Sequence, residues 1–156
     1  KKIKVINIMT KEVIIISPDA TIIKAAKLLT EKSVSSLVVV EKGKPVAVIS
    51  EADITKGILG KKTKVREVMD REFLIISPSA KFSEISKMLR EKKIKRFPIV
   101  DKGRLVGLIT ETDIIETTRD FTRFHQMVQD IILAVFGIAT AFFLFYFSPL
   151  RVWVFG

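Results

Sequence analysis

The chain has 156 residues, enough for one ordinary domain or two small ones with a shared core. Apolar residues make up 48% and charged residues 28%, which excludes a disordered or collagen-like chain; the lack of cysteine excludes a disulfide framework, a thiolate metal site and a thiol nucleophile. The formal charge of +10 lies almost wholly before Asp130, since Arg151 is the one charge beyond it, and suits either a polyanionic partner or a solvated basic surface. No cluster of bases interleaved with aromatics appears, which favours the solvated surface.

The opening "KKIKVINIM" is charged but has no apolar stretch long enough for a secretory signal. One Asn and two Gln beside many Lys, Ile and Glu fit a heat-adapted protein. "EVIIISP" then reads as a short β-rich run stopped by Ser-Pro, because proline lacks the N–H that a central strand needs. In "DATIIKAAKLLTEK" the residues Ile22, Ala25, Ala26 and Leu29 share one helical face. "SLVVVEKGKPVAVIS" is a pair of β-branched runs around a Lys-Gly turn, the pattern of a hairpin. A short helix is expected from Glu51.

Sliding the chain by sixty residues repeats the whole series without a gap. Val5 falls on Val65, Met9 on Met69, "IISP" on "IISP", Gly43 on Gly103 and Asp53 on Asp113. The second helix is "SAKFSEISKMLREK", with Phe82, Ile85 and Leu89 on its apolar face; the second hairpin is "RFPIVDKGRLVGLIT", and a second short helix starts near Glu111. The order β-α-β-β-α, used twice, predicts an α/β (α+β) fold of small sheets covered by helices. Two copies are too few for a solenoid, so a closed pseudo-two-fold pair is expected, over residues 1–60 and 61–120.

Residues 121–130 continue as an amphipathic connector, with Phe121, Phe124, Val128 and Ile131 at helical spacing. From Ile131 to Phe147 no charge occurs, so 131–156 is expected to be a hydrophobic helix that anchors the chain in a membrane through 131–147. Seventeen residues of helix span roughly 26 Å. Ser148-Pro149 should break or kink it, with Tyr146 and Trp153 at the interface and Arg151 reaching outward. The bases Arg119 and Arg123 lie on the repeat side, which places the repeats in the cytoplasm. A helix buried in a dimer interface is the alternative, but apolar character on every side argues against it.

Both repeats close a strand and open a helix with a hydroxyl followed three positions later by aspartate: Ser50 with Asp53, and Thr110 with Asp113. This is a capping box, and the acids also suit the positive end of the helix dipole. A helix N-terminus offers N–H groups to an anion, and an aspartate there can accept hydrogen bonds from two vicinal hydroxyls. Together they suit a nucleoside with a polar tail.

The duplicated unit, its "IISP" starts, the two hairpins and the closing "EAD" and "ETD" resemble a tandem pair of CBS (cystathionine-β-synthase) domains, a Bateman module, over residues 3 to about 118. The resemblance implies a regulatory module that binds AMP, ADP, ATP or S-adenosylmethionine between the repeats, with Asp53 and Asp113 on ribose and Ser50 and Thr110 near ribose or phosphate. It also implies that Ile16, Ser17 and Ala20, with Ile76, Ser77 and Ala80, meet the base. A homodimer through the repeats is expected. Only the second repeat has bases before its hairpin, Lys95 and Arg96, where the first has Ser35 and Ser36. Arginine's planar fork suits phosphate, so two unequal clefts are expected, the stronger combining Asp113 and Thr110 with Lys95 and Arg96.

No catalytic, metal-binding or resident-cofactor set is legible. His125 is the one histidine and lies outside the repeats, and there is no Gly-rich phosphate loop and no H-E-x-x-H. Glu51 with Asp53, and Glu111 with Asp113, stand two apart and do not face each other on a helix. Two other readings stay open: a nucleic-acid-binding accessory protein using Lys61, Lys62, Lys64 and Arg66, and a structural dimerisation module without a ligand.

Overall fold

The computed structural model describes residues 3–147. The expectations for Ser148-Pro149, Arg151 and Trp153 lie outside the described residues. The first repeat contains β1 (Ile15–Ile16), α1 (Ile22–Lys32), β2 (Ser36–Glu41), β3 (Lys44–Ser50) and α2 (Glu51–Leu59). The second contains α3 (Phe82–Lys92), β4 (Arg96–Asp101), β5 (Arg104–Thr110) and the start of α4 (Glu111–Phe147). β1 runs parallel to β2, and β2 pairs antiparallel with β3. β4 and β5 form the matching hairpin, and a parallel bridge from Ile76 to Ile99 stands where β1 stands in the first repeat.

The local chemistry follows the sequence. Thr21 caps α1 by accepting from the Lys24 amide at 3.1 Å. The hairpins turn on Lys42-Gly43 and Lys102-Gly103, where both residues of each pair have positive φ. That geometry suits the right-handed twist of the flanking strands and favours glycine in the second position. Ile22, Ala25 and Leu29 are buried under α1, and Ile85 is buried under α3 with Phe82 and Leu89 packed beside it.

The cores are exchanged. Val65 and Met69, which lead into the second repeat, lie in the first repeat's core with Ile49 and Ile54. Val5, which leads into the first repeat, lies in the second repeat's core with Phe97 and Ile109. Hydrogen bonds fix the exchange on both sides: Val65 N–H donates to Ala20 O at 2.9 Å and Val5 N–H to Ala80 O at 3.0 Å. A third cluster, Val38 with Val48 and Leu108, joins the two hairpins. Bridges from Thr10 to Leu108 and from Asp70 to Val48 repeat the sixty-residue relation in space. The pair is therefore pseudo-two-fold, and neither repeat has a complete core alone.

Beyond Glu111 the structure differs from a short helix followed by a connector and an anchor: α4 is one helix of 37 residues. No proline occurs between Glu111 and Phe147, and its one glycine, Gly137, sits deep in an apolar run. Residues to Ile114 belong to one compact unit with the repeats, and those from Ile115 belong to a second.

Candidate functional site

The strand-to-helix junctions take the same form twice. Ser50 N–H and Oγ–H both donate to Asp53 Oδ2, at 2.9 and 2.7 Å, and Asp53 N–H returns a bond of 3.4 Å to Ser50 Oγ. Thr110 N–H and Oγ1–H donate to Asp113 Oδ2 at 2.7 and 3.0 Å. Ser50 and Thr110 are nearly buried, at 7% and 9% exposure, so each aspartate is pinned at its helix start. A carboxylate has about four acceptor positions, and each of these bonded pairs uses two.

Thr110 and Asp113 line a cleft of about 180 Å³ between the repeats. Leu108 belongs to the same wall, while the opposite wall comes from the first repeat: Thr10, Glu12 and Val13 from its lead-in, and Ser33 to Ser36 from the end of α1 and the start of β2. Lys95 and Arg96, expected beside Asp113 and Thr110, are not among its lining residues. Arg96 does register against Thr110 in the β4–β5 ladder, and Lys95 Nζ pairs with Glu111 Oε2 at 3.2 Å. The reason is the pseudo-two-fold: a cleft takes its caps from one repeat and its strand-start residues from the other. The signal was present in the sequence as the Ser35-Ser36 and Lys95-Arg96 difference, but the crossing of repeats was not.

The other residues named from the sequence are placed as follows. Ile16 and Ile76 are 5% and 8% exposed and point into the two cores, whereas Ile15 and Ile75, on the opposite face of each strand, are 56% and 49% exposed. The alternation of a strand makes Ile15 and Ile75 the available apolar side chains. Ile76 N–H donates to Pro98 O and its carbonyl accepts from Val100 N–H, so its peptide groups are committed to the sheet. Ser17 Oγ accepts from the Asp19 amide at 3.2 Å, and Ser77 Oγ bonds Ser79 Oγ at 2.9 Å, each shaping a turn after the strand. Ala20 and Ala80 carbonyls hold the exchanged lead-ins. None of these six residues lines the cleft at Asp113.

The guanidinium of Arg96 is half-satisfied. Its Nη1 donates to Lys95 O at 3.4 Å, while its Nε is buried without a hydrogen-bond partner. By contrast Lys62, Lys64 and Arg66, three of the bases between the repeats, are engaged at home. Arg66 Nη2 pairs with Asp19 at 3.0 Å and Glu41 at 2.7 Å, Lys64 Nζ donates to Asp19 O at 3.2 Å, and Lys62 stands 3.9 Å from Glu67. That engagement weakens the case for a nucleic-acid surface there. Glu67 accepts from the Lys64 and Thr63 amides at 3.0 and 3.1 Å, and these bonds hold its carboxyl below the usual glutamate range. Among the described residues no group of acidic or histidine side chains is arranged to hold a metal.

An exchanged pair of α/β units, each closed by a capping box and with the second cap lining a cleft between them, places the chain among tandem-repeat modules. The profile of the CBS domain matches residues 5–60 and 65–120, and the chain belongs to the CBS domain family. It is 39% identical over 115 residues to protein MJ1232 of Methanocaldococcus jannaschii, a match over 73% of this chain and 39% of that protein. It is 33% identical over 112 residues to inosine-5'-monophosphate dehydrogenase of the same organism, covering 70% of this chain and 22% of the enzyme. The chain thus spans well under half of each of these two relatives. Among solved structures it resembles the CBS domain pair of protein MJ0100, in complex with 5'-methylthioadenosine and S-adenosyl-L-methionine, at 26% identity and a TM-score of 0.69, over 77% of this chain and 98% of that one. CBSX2 in complex with AMP shares the fold, at 23% identity and a TM-score of 0.61 over 76% and 98% of the two chains. Both of these solved structures hold adenosyl ligands.

Proposed function

We propose that this chain is a ligand-sensing regulatory module that takes adenosyl compounds in two unequal clefts between its repeats. One observation carries the reading: Asp113 and Thr110, fixed at a helix N-terminus, face residues of the other repeat across one cleft. A ribose held by Asp113 touches both repeats, so its binding depends on their relative arrangement. At about 180 Å³ the cleft is smaller than the ~300–1,000 Å³ usual for ligand sites, so it holds a ribose-sized part of the ligand unless the repeats part. Ligand binding then favours one arrangement over another, which is what a sensor needs.

The clefts differ in charge. The one at Asp113 has serines and Glu12 and lacks a base among its lining residues, so it suits an uncharged or cationic tail such as a thioether or sulfonium. By the sixty-residue equivalence, the counterpart cleft is proposed to combine Ser50 and Asp53 with Lys95 and Arg96. The buried, unpartnered Arg96 Nε supports a phosphate there. AMP or another phosphorylated nucleotide belongs in that cleft. Asp53→Asn should weaken AMP binding at least about tenfold while sparing 5'-methylthioadenosine, and Asp113→Asn should do the reverse. Titration calorimetry of each variant checks this; equal losses for both ligands in both variants would contradict the division.

The apolar part of α4 anchors the module. It is long and apolar enough to cross a membrane, and none of that window is buried. The repeats then lie on the cytoplasmic side with Arg119 and Arg123. Alkaline carbonate extraction should leave the full chain in the membrane pellet, whereas a chain ending at Asp120 should be recovered in the soluble fraction. Pairing through the repeats completes the proposal as a homodimer.

A further inference from the structure

We infer that α4 is also a pairing helix, forming a parallel two-stranded coiled coil with α4 of a second copy of this chain. The residues Thr117, Phe121, Phe124, Val128, Ile131, Val135, Ile138, Phe142 and Phe145 are spaced alternately by four and three. All lie within one helix, and all but Thr117 are apolar. That is the a/d pattern of a heptad repeat, with Phe121, Val128, Val135 and Phe142 at a and Phe124, Ile131, Ile138 and Phe145 at d. A straight helix drifts about 20° per heptad from a strict seven-residue repeat, so a seam held this long is matched to supercoiling with another helix. The seam is bare in the single chain: Phe121 is 40% exposed, Phe124 57%, Ile131 55% and Ile138 71%.

Two further features select the occupant. The flanks are segregated along the helix: from Glu116 to Asp130 the outward b, c and f positions are Glu116, Arg119, Thr122, Arg123, Gln126, Gln129 and Asp130, all polar, whereas beyond Ile131 they are almost wholly apolar. An antiparallel partner would set polar flanks against apolar ones; an in-register parallel copy matches like with like. In that register Asp120 at g faces His125 at e of the second copy, an acid opposite an imidazole that can donate a hydrogen bond to it. The next flanking pair, Met127 and Ile132, is large and apolar, and the positions after it, Ala134, Ala139 and Ala141, are small, so the two helices can approach closely within the apolar half. This contact lies outside the repeats and is separate from pairing through them. It rests on the membrane-anchoring reading only for its lipid-facing half.

The chain has no cysteine, so single cysteines report the contact directly. The full chain, reconstituted in phosphatidylcholine–phosphatidylglycerol vesicles, would carry Phe124→Cys, Val128→Cys or Ile131→Cys on the seam and Thr122→Cys, Gln126→Cys or Gln129→Cys off it, and be oxidised with copper phenanthroline. Disulfide dimer should form at least about fivefold more at the seam positions, because only there do the two Cβ atoms come within bonding range. Val128→Cys, close in volume to valine, guards against loss of the helix by substitution. Uniform cross-linking, none, or a maximum at the outer positions would overturn the inference. So would efficient joining of Phe121→Cys in one copy to Phe145→Cys in another, which marks an antiparallel pair. Carbonate extraction of the same samples separates the readings: seam-specific dimers that leave the pellet overturn the anchor alone, and anchored protein without seam-specific dimers overturns the coiled coil alone.

Discussion

At the scale of residues, the aspartates that end each repeat have two roles that separate under substitution. As the acidic members of the capping boxes they accept from the amides of Ser50 and Thr110 and complete a helix start. In the proposed function they are also the acceptors offered to ribose hydroxyls, and an asparagine in their place keeps the cap while weakening that second role. Glu67 has only the structural role. Its carboxyl is held below its ordinary value of 4.5 by the Lys64 and Thr63 amides. A lowered carboxyl pKa stabilises the fold above the ordinary value and loses that contribution as pH falls through the lowered one. Glu67→Gln should therefore reduce the loss of thermal stability on acidification below about pH 4.5. Thermal melts of both proteins from neutral pH to pH 3 check this, and identical acid profiles would count against it. Ser50 with Asp53 and Thr110 with Asp113 were readable from sequence because a capping box is local. That Ile15 and Ile75 are exposed while Ile16 and Ile76 enter the cores became clear only when the strand's faces were fixed by its pairing.

At the scale of elements, the hairpins and helices were legible because each carries its own periodicity and turn chemistry. The Lys-Gly turns, the Ser-Pro stops and the apolar face of α1 stand in the structure as the residues predict. The exchanged lead-ins were not legible, since the short apolar sets around Val5 and Val65 do not say which repeat's core they enter. Their role is tertiary: each fills the other repeat's core and is fully buried. Val65→Ala removes two buried carbons and leaves a partial cavity, so it should cost about 2 kcal/mol of unfolding free energy. Because the cores are exchanged, urea denaturation should show one transition shifted as a whole. A loss confined to one of two separate transitions would mean that the repeats fold independently.

At the scale of the whole molecule, the exchange and the clefts have the same origin. A gap-free sixty-residue repeat announced two equivalent units, but which strand start faces which cap depends on how they cross. The structure sets Ser33–Ser36 opposite Asp113, and the proposed division of the clefts extends that relation by sixty residues to Lys95 and Arg96 opposite Asp53. Continuity of α4 was likewise hidden, because the sequence changes character twice between Glu111 and Phe147 while no proline interrupts the helix. The central claim is that the two clefts are chemically distinct sensors of adenosyl compounds. Titration calorimetry of the full chain in detergent, first with AMP and then with 5'-methylthioadenosine on the AMP-saturated protein, tests it most directly. The account predicts one site per chain for each ligand, both filled together, with Arg96→Gln weakening AMP at least about tenfold and leaving 5'-methylthioadenosine unchanged. No heat with either ligand up to millimolar concentration, or competition between them for a single site, would contradict it.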